Sequence, residues 1–226
     1  RKQVEALAPP SPLAPLKQLP KTPSWLTQTP TAEASAQANS YYRGGEQTAH
    51  NHLTRYFSTS AASSYKQTRN ALSGDNFSTG LSSFLAHGAI SPRQVLQALR
   101  NYEVEHGANE SSYWIYFELL WREYFYWYAR LHGDKLFSFS GITGKTLHCS
   151  FYPQRFKQWC SGTTPYPLIN ALMHQLNSSG WMSNRGRQIV ASCLVNELQV
   201  DWRYGAAYFE QCLIDYDVAS NWGNWQ

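Results

Sequence analysis

Apolar residues recur at helical rather than alternating spacing over most of the chain. Val95, Leu96, Leu99 and Tyr102 follow Ser91-Pro92-Arg93-Gln94 at short helical intervals, which gathers side chains on one face of an α-helix. Ser91 suits the N-cap, Pro92 the first helical position, and Gln94 stands three after the cap, a sequence-level helix start. A longer helix is predicted from a cap at Ser111 or Ser112 to about Leu131, and 44–57 is predicted helical with Leu53, Tyr56 and Phe57 on its apolar side. Segments 153–160, 165–178, 184–199 and 204–214 read the same way, broken by Gly162, Gly180 and Asp201. Strand alternation and internal repeats are absent. The predicted fold class is all-α, a cluster of about seven or eight helices.

Residues 1–38 depart from this pattern. They hold seven of the eleven prolines (Pro9, Pro10, Pro12, Pro15, Pro20, Pro23 and Pro30) and end in a Thr/Ala/Ser/Gln stretch. Proline blocks helices and removes donors, so 1–38 is predicted to be an extended interdomain linker, with Trp25-Leu26 as a docking anchor, and 39–226 the helical domain. The 226 residues are 42% hydrophobic and 15% aromatic, enough for a packed core and unlike a disordered chain. Charged residues make up only 15%, against roughly 25% for an average domain. Of the net charge of +4, three units lie in residues 1–60; this permits contact with a polyanion without specifying it. No apolar run reaches the ~18 residues of a membrane span. The opening Arg1-Lys2-Gln3-Val4 carries no signal-peptide pattern and no Met, which points to a start further upstream. Cys149, Cys160, Cys193 and Cys212 form no C-x-x-C and no metal-like pairing with His; they read as buried free thiols, with no metal site.

Polar residues inside apolar helices carry the candidate chemistry. Glu118, Trp121 and Arg122 stand at i, i+3 and i+4 in Ile115-Tyr116-Phe117-Glu118-Leu119-Leu120-Trp121-Arg122-Glu123, so they share one face. Taken alone, this face is explained more simply by an ordinary Glu118–Arg122 ion pair beside a core Trp. Ser183-Asn184-Arg185-Gly186-Arg187-Gln188 puts three strong donors, Asn184, Arg185 and Arg187, in a first helical turn. The helix dipole disfavours cations there, which suits either a supplied anion or a solvated basic turn. Asp215 and Asp217 follow an apolar helix and precede Ser220-Asn221-Trp222-Gly223-Asn224-Trp225. The two carboxylates are compatible with acid–base work, with a divalent cation, or with pairing to Arg187. Phe77-Ser78-Thr79-Gly80-Leu81-Ser82 places small hydroxyls and a glycine ahead of a helix beginning near Ser82, as a phosphate cradle does and as many plain N-caps do.

Taken together and in this order, these pieces resemble the flavin-binding helical domain of the photolyase/cryptochrome family, over roughly residues 41–226. Gly44-Gly45-Glu46, Tyr65-Lys66-Gln67-Thr68-Arg69, Leu81-Ser82, Ile90-Ser91-Pro92-Arg93, Glu118 to Glu123 and the block from Gly180 to Trp225 all match. Ser183 to Gln188, with Ser220 to Trp225, is most similar to the DASH-type cryptochromes. The resemblance implies FAD as cofactor. It puts Tyr65, Ser78, Thr79, Leu81 and Ser82 at the FAD diphosphate, and Arg122 and Asn184 at the flavin. Arg187 and Asp215 correspond to an ion pair packed against the isoalloxazine, whose cation stabilises a reduced anion. Asp217 corresponds to the N3/O4 edge and Asn221 to the residue beside N5, where a neutral amide cannot protonate a flavin anion as an acid could.

The resemblance also implies a blue-light photolyase acting on cyclobutane pyrimidine dimers in damaged DNA, single-stranded or looped; the alternative is a light-sensing DASH-type cryptochrome that binds nucleic acid without repair. Reduced FAD, excited by blue light, would pass an electron to the dimer and recover it after the ring splits. Glu118 and Trp121 correspond to contacts with the pyrimidine pair: Trp as a stacking surface, Glu as a partner for base edges. Photolyases flip their target base out of the duplex, and Arg69 and Arg185 are candidates for the DNA backbone. Trp225 and Trp202 match the inner and middle members of the family's electron chain. The outer position, ten residues before Trp159, is Cys149, so light-driven flavin reduction is expected to be slow or rerouted through Tyr152, Trp159 or another ring. A folate-type antenna pigment is expected only in the family's N-terminal α/β domain, which is absent from residues 1–226. The family's helical domain also runs past Trp225, so 39–226 is expected to be truncated on that side. A monomer is expected, with no membrane or metal.

Overall fold

The computed structural model describes residues 43–145 and 148–226; the predicted linker 1–38 and the Trp25-Leu26 anchor lie outside the described residues. Among the described residues ten α-helical segments follow one another: α1 (Glu46–Phe57), α2 (Ala61–Thr68), α3 (Ser82–Ala86), α4 (Pro92–His106), α5 (Glu110–His132), α6 (Pro153–Ser161), α7 (Pro167–Ser179), α8 (Asn184–Ser192), α9 (Trp202–Cys212) and α10 (Val218–Asn224). A 3-10 turn at Gly133–Phe137 follows α5 and a π-helical turn at Cys193–Glu197 follows α8. Among the described residues the β contact is one isolated bridge, Ser150 to Val200, so the chain is all-α as its periodicity predicts. The helix count exceeds the expected one because α2, α3 and α10 are eight residues or shorter, too short to display a clear period.

Helix boundaries follow local hydrogen bonding. α4 starts as predicted: Ser91 Oγ accepts from Gln94 N, the Gln94 side chain accepts from Ser91 N at 2.7 Å, and Pro92 fills the first position. The cap of α5 is Asn109, rather than Ser111 or Ser112. Its side chain accepts from Ser112 N at 2.9 Å, and Ser112 Oγ accepts from Asn109 N at 3.1 Å. Both serines are buried inside the helix, where Ser111 Oγ donates to Gln67 and Ser112 Oγ donates to Glu103. They tie α5 to α2 and α4. α7 ends at Gly180 with φ +69°, a conformation that is strained for residues with a Cβ. The expected helix 184–199 is α8 plus the π turn. The one expected at 204–214 starts at Trp202, because Asp201 accepts from Arg203 N at 3.0 Å and caps it.

These helices build two apolar clusters. One gathers Leu53 and Tyr56 of α1, Phe84 of α3, Leu99 of α4 and Ile115 of α5. The other gathers Trp159 of α6, Met173 and Leu176 of α7, Val190 of α8 and Phe209 of α9. Segments from both meet at a seam. The Phe77 and Trp181 rings are 5.9 Å apart, Arg185 donates to Asn70 at 3.0 Å, and His87 Nε2 lies 2.7 Å from the Ile214 carbonyl oxygen.

Candidate functional site

The seam opens into a cavity of ≈ 580 Å³. One wall comes from the segment between α2 and α3 together with α3: Ser78, Thr79, Gly80, Leu81 and Ser82. The face of α5 predicted from the i, i+3, i+4 spacing supplies Glu118, Trp121 and Arg122, and α8 with its cap supplies Ser183, Asn184, Arg187 and Gln188. Asp215 and Asp217 close the far side. Tyr65 and Arg69 of α2 complete the lining. Thirteen of the residues singled out in the sequence therefore meet around one space: Tyr65, Arg69, Ser78, Thr79, Leu81, Ser82, Glu118, Trp121, Arg122, Asn184, Arg187, Asp215 and Asp217.

The electrostatics divide the cavity. Glu118 pairs with Arg69 at 2.6 Å and accepts from Trp114 Nε1 at 3.0 Å; the intrahelical Glu118–Arg122 pair is not formed. Burial pushes the Glu118 carboxyl above its ordinary value, while Arg69 and then the Trp114 hydrogen bond pull it back. Tyr65 is pushed up to about 12, by burial first and then by the Glu118 charge. Arg69, engaged by Glu118 and lying over the Trp114 ring at 5.4 Å, sits in the cavity wall.

On the opposite side Arg187 is held in place. Its Nη2 donates to both Asp215 oxygens, at 3.0 and 2.9 Å, and its Nε donates to the Met182 carbonyl at 2.9 Å. Nη2 on the carboxylate and Nε on the carbonyl together fix the plane of the guanidinium. Of the three chemistries open to Asp215 in the sequence, the geometry selects pairing with Arg187. Asp217 caps α10, accepting from Ser220 N at 2.8 Å. Among the described residues, no cluster of three or more potential metal ligands occurs.

Four of the predicted residues lie outside the lining. Arg185 points out to Asn70. The Asn221 side chain donates to the Ala206 carbonyl at 3.0 Å. Trp202 is buried, donating from Nε1 to Phe139 O. Trp225 packs on Phe209, with ring centroids 5.2 Å apart. Conversely, Phe77, Trp114, Trp181 and Asn224 line the cavity without having been singled out. Trp114 was legible in principle, since it stands one helical turn before Glu118; Phe77 and Trp181 meet only through the tertiary seam.

A helical domain with hydroxyls at one end of a cavity and a fixed Arg–Asp pair at another suits an elongated ligand with an anionic part and a polar ring. Residues 114–226 match the family described as the FAD binding domain of DNA photolyase, and the chain belongs to this family. It is 58% identical over 229 residues to a cryptochrome DASH of Idiomarina loihiensis, covering 100% of this chain and 51% of that protein. A cryptochrome DASH of Vibrio parahaemolyticus is 56% identical over 227 residues, with the same coverage of 100% and 51%. The crystal structure of a Synechocystis cryptochrome superposes with a TM-score of 0.80 at 47% identity, covering 82% of this chain and 38% of that one. A bacterial class III photolyase from Agrobacterium tumefaciens gives 0.75 at 29% identity, covering 93% and 44%. The chain spans about half the length of the curated relatives it matches.

Proposed function

We propose that this chain holds FAD in the seam cavity and forms the working part of a blue-light-dependent deoxyribodipyrimidine photolyase acting on cyclobutane dimers in single-stranded or looped DNA. The observation that carries the reading is the donor set. Among the described residues, the hydroxyls of Ser78, Thr79 and Ser82, the Asn184 amide and the Arg122 guanidinium all line the cavity. These groups enter none of the described hydrogen bonds and ion pairs, so they are free to serve a ligand.

Ser78, Thr79 and Ser82, with Tyr65 and the Leu81 backbone, would hold the diphosphate. Arg122, Asn184, Arg187, Asp215 and Asp217 would hold the ring, with Asn221 beside it. Bound FAD supplies light absorption and, when reduced, the electron that splits the cyclobutane ring. Arg187 keeps a positive charge at a fixed place because Asp215 and Met182 leave its side chain no freedom. Trp121 is 43% exposed on the rim and offers a flat face for an extruded base pair. Glu118, with its raised carboxyl, can share a proton with a base edge there. Arg185 reaches the backbone outside the cavity, and Arg69 acts through Glu118. A folate-type antenna belongs to an N-terminal α/β domain outside these residues, and the working form is a monomer.

The first test is the visible spectrum of the desalted chain. About one flavin per chain, followed by blue-light repair of a dimer-bearing single-stranded oligonucleotide that Trp121→Ala abolishes, supports the reading. A colourless chain after incubation with FAD removes the cofactor reading. Flavin and oligonucleotide binding without repair leaves the light-sensing alternative.

A further inference from the structure

Trp202, Gly205 and Phe209 stand at i, i+3 and i+7, on one face of α9. α10 and its C-cap lay two indoles on that face: Trp225 meets Gly205 and Phe209, and Trp222 meets Trp202, with ring centroids 5.8 Å apart and planes at 75°. Among the described residues Trp202 makes this one ring contact. Trp222 continues outward. It also meets Phe137, with ring centroids 4.9 Å apart, and Phe137 is 42% exposed. Its Nε1 donates to Glu210 Oε2 at 3.2 Å on the exposed side of α9. Tyr216 lies beside the same group, and burial foremost, then Glu210, pushes its hydroxyl up to about 12. Cys149 is a half-buried thiol near the Trp202 backbone, and burial raises it away from the thiolate.

We propose that Trp222 is the surface-side electron donor to Trp202, with Glu210 as the acceptor of its indole proton. Two properties support this. Tunnelling falls off exponentially with distance, so indoles in ring contact exchange an electron far faster than separated ones. An oxidised indole is also a strong acid, and a carboxylate already on its N–H takes that proton without rearrangement. The balance is one electron and one proton. Trp202, once it has lost one electron to a photoexcited flavin by way of Trp225 on the same α9 face, takes an electron from Trp222. The Trp222 Nε1 proton passes to Glu210 Oε2, which leaves a neutral indolyl radical. A soluble thiol then reduces that radical by donating a hydrogen atom. Loss of the proton removes the driving force for return, which is why Glu210 matters. The proposal rests on the flavin reading for its oxidant.

The FAD-loaded chain is compared with Trp222→Phe, Trp222→Tyr, Trp202→Phe and Glu210→Gln under blue light with a thiol, after flavin occupancy and far-ultraviolet circular dichroism have been matched. Trp222→Phe should slow flavin photoreduction by about tenfold or more and remove the long-lived indolyl signal in transient absorption and electron paramagnetic resonance. Trp222→Tyr should recover part of the rate with a tyrosyl signature. Glu210→Gln should keep the initial oxidation and shorten the radical's lifetime. A wild-type photoreduction rate in Trp222→Phe overturns the proposal.

Photochemically induced nuclear polarisation of the flavin-free wild-type chain, with free FMN as the dye, is a second readout that needs neither bound cofactor nor a folded variant. Polarisation at the Trp222 indole supports it as a surface donor, and none there overturns that. A chain that binds no FAD yet polarises Trp222 sinks the cofactor reading and with it the flavin as oxidant of Trp202, whereas a chain that binds FAD without polarising Trp222 sinks the donor assignment alone.

Discussion

Glu118 shows how one residue's surroundings set its chemistry. Spacing allows it an intrahelical partner in Arg122, but α2 brings Arg69 to 2.6 Å instead. That leaves Arg122 free on the cavity face. Burial nonetheless dominates and raises the carboxyl. A raised folded-state value makes the group's stabilising contribution complete below its unfolded value, about 4.3, and lost as pH rises through the folded value. The thermal midpoint of wild type relative to Glu118→Gln should therefore decline as pH rises from about 4 towards neutrality. A difference that stays flat across that window would mean the carboxylate is not desolvated. At the opposite wall, Asp215→Asn removes a charged partner from two guanidinium bonds and should cost about 1.5–3 kcal/mol. A urea midpoint lowered at unchanged slope is the check.

Between elements, α9 and α10 approach closely along a seam at Gly205. A Cβ on Gly205 would overlap the Trp225 ring and Leu194. Alanine is the better helix former by up to about 1 kcal/mol, but overpacking costs roughly 1–3 kcal/mol, so the clash wins. Gly205→Ala should lower the urea midpoint and shift Trp225 fluorescence; a stabilised variant would show that the seam gives way. The entry to α5 carries a separate prediction. Asn109→Ala removes the cap that the structure shows in place of the expected serines, and should cost about 1 kcal/mol. Ser112→Ala should cost more, because Ser112 Oγ is the reciprocal half of the same box and also donates to Glu103.

For the molecule as a whole, the cavity lies between two apolar clusters, so a ligand there braces both. A ligand that binds only the folded chain adds about 2.7 kcal/mol at a hundredfold excess over Kd. FAD should raise the thermal midpoint in a concentration-dependent way, riboflavin less because it lacks the diphosphate, and Arg187→Ala should remove most of the rise. Equal shifts from FAD and riboflavin would take Ser78, Thr79 and Ser82 out of the binding site. The all-α class, the start of α4, the stops at Gly162 and Gly180, and the shared face of Glu118, Trp121 and Arg122 follow from the order of amino acids alone. All of these rest on short-range rules: helical period, capping, and the left-handed preference of glycine. Long-range packing alone settles that Arg69 pairs with Glu118, that Asp215 pairs with Arg187, that Trp114, Phe77 and Trp181 join the lining, and that Trp222 lies on Trp202. Arg187 and Asp215 are 28 residues apart and Arg69 and Glu118 are 49 apart. Local preference says nothing at such separations, where packing chooses the partner.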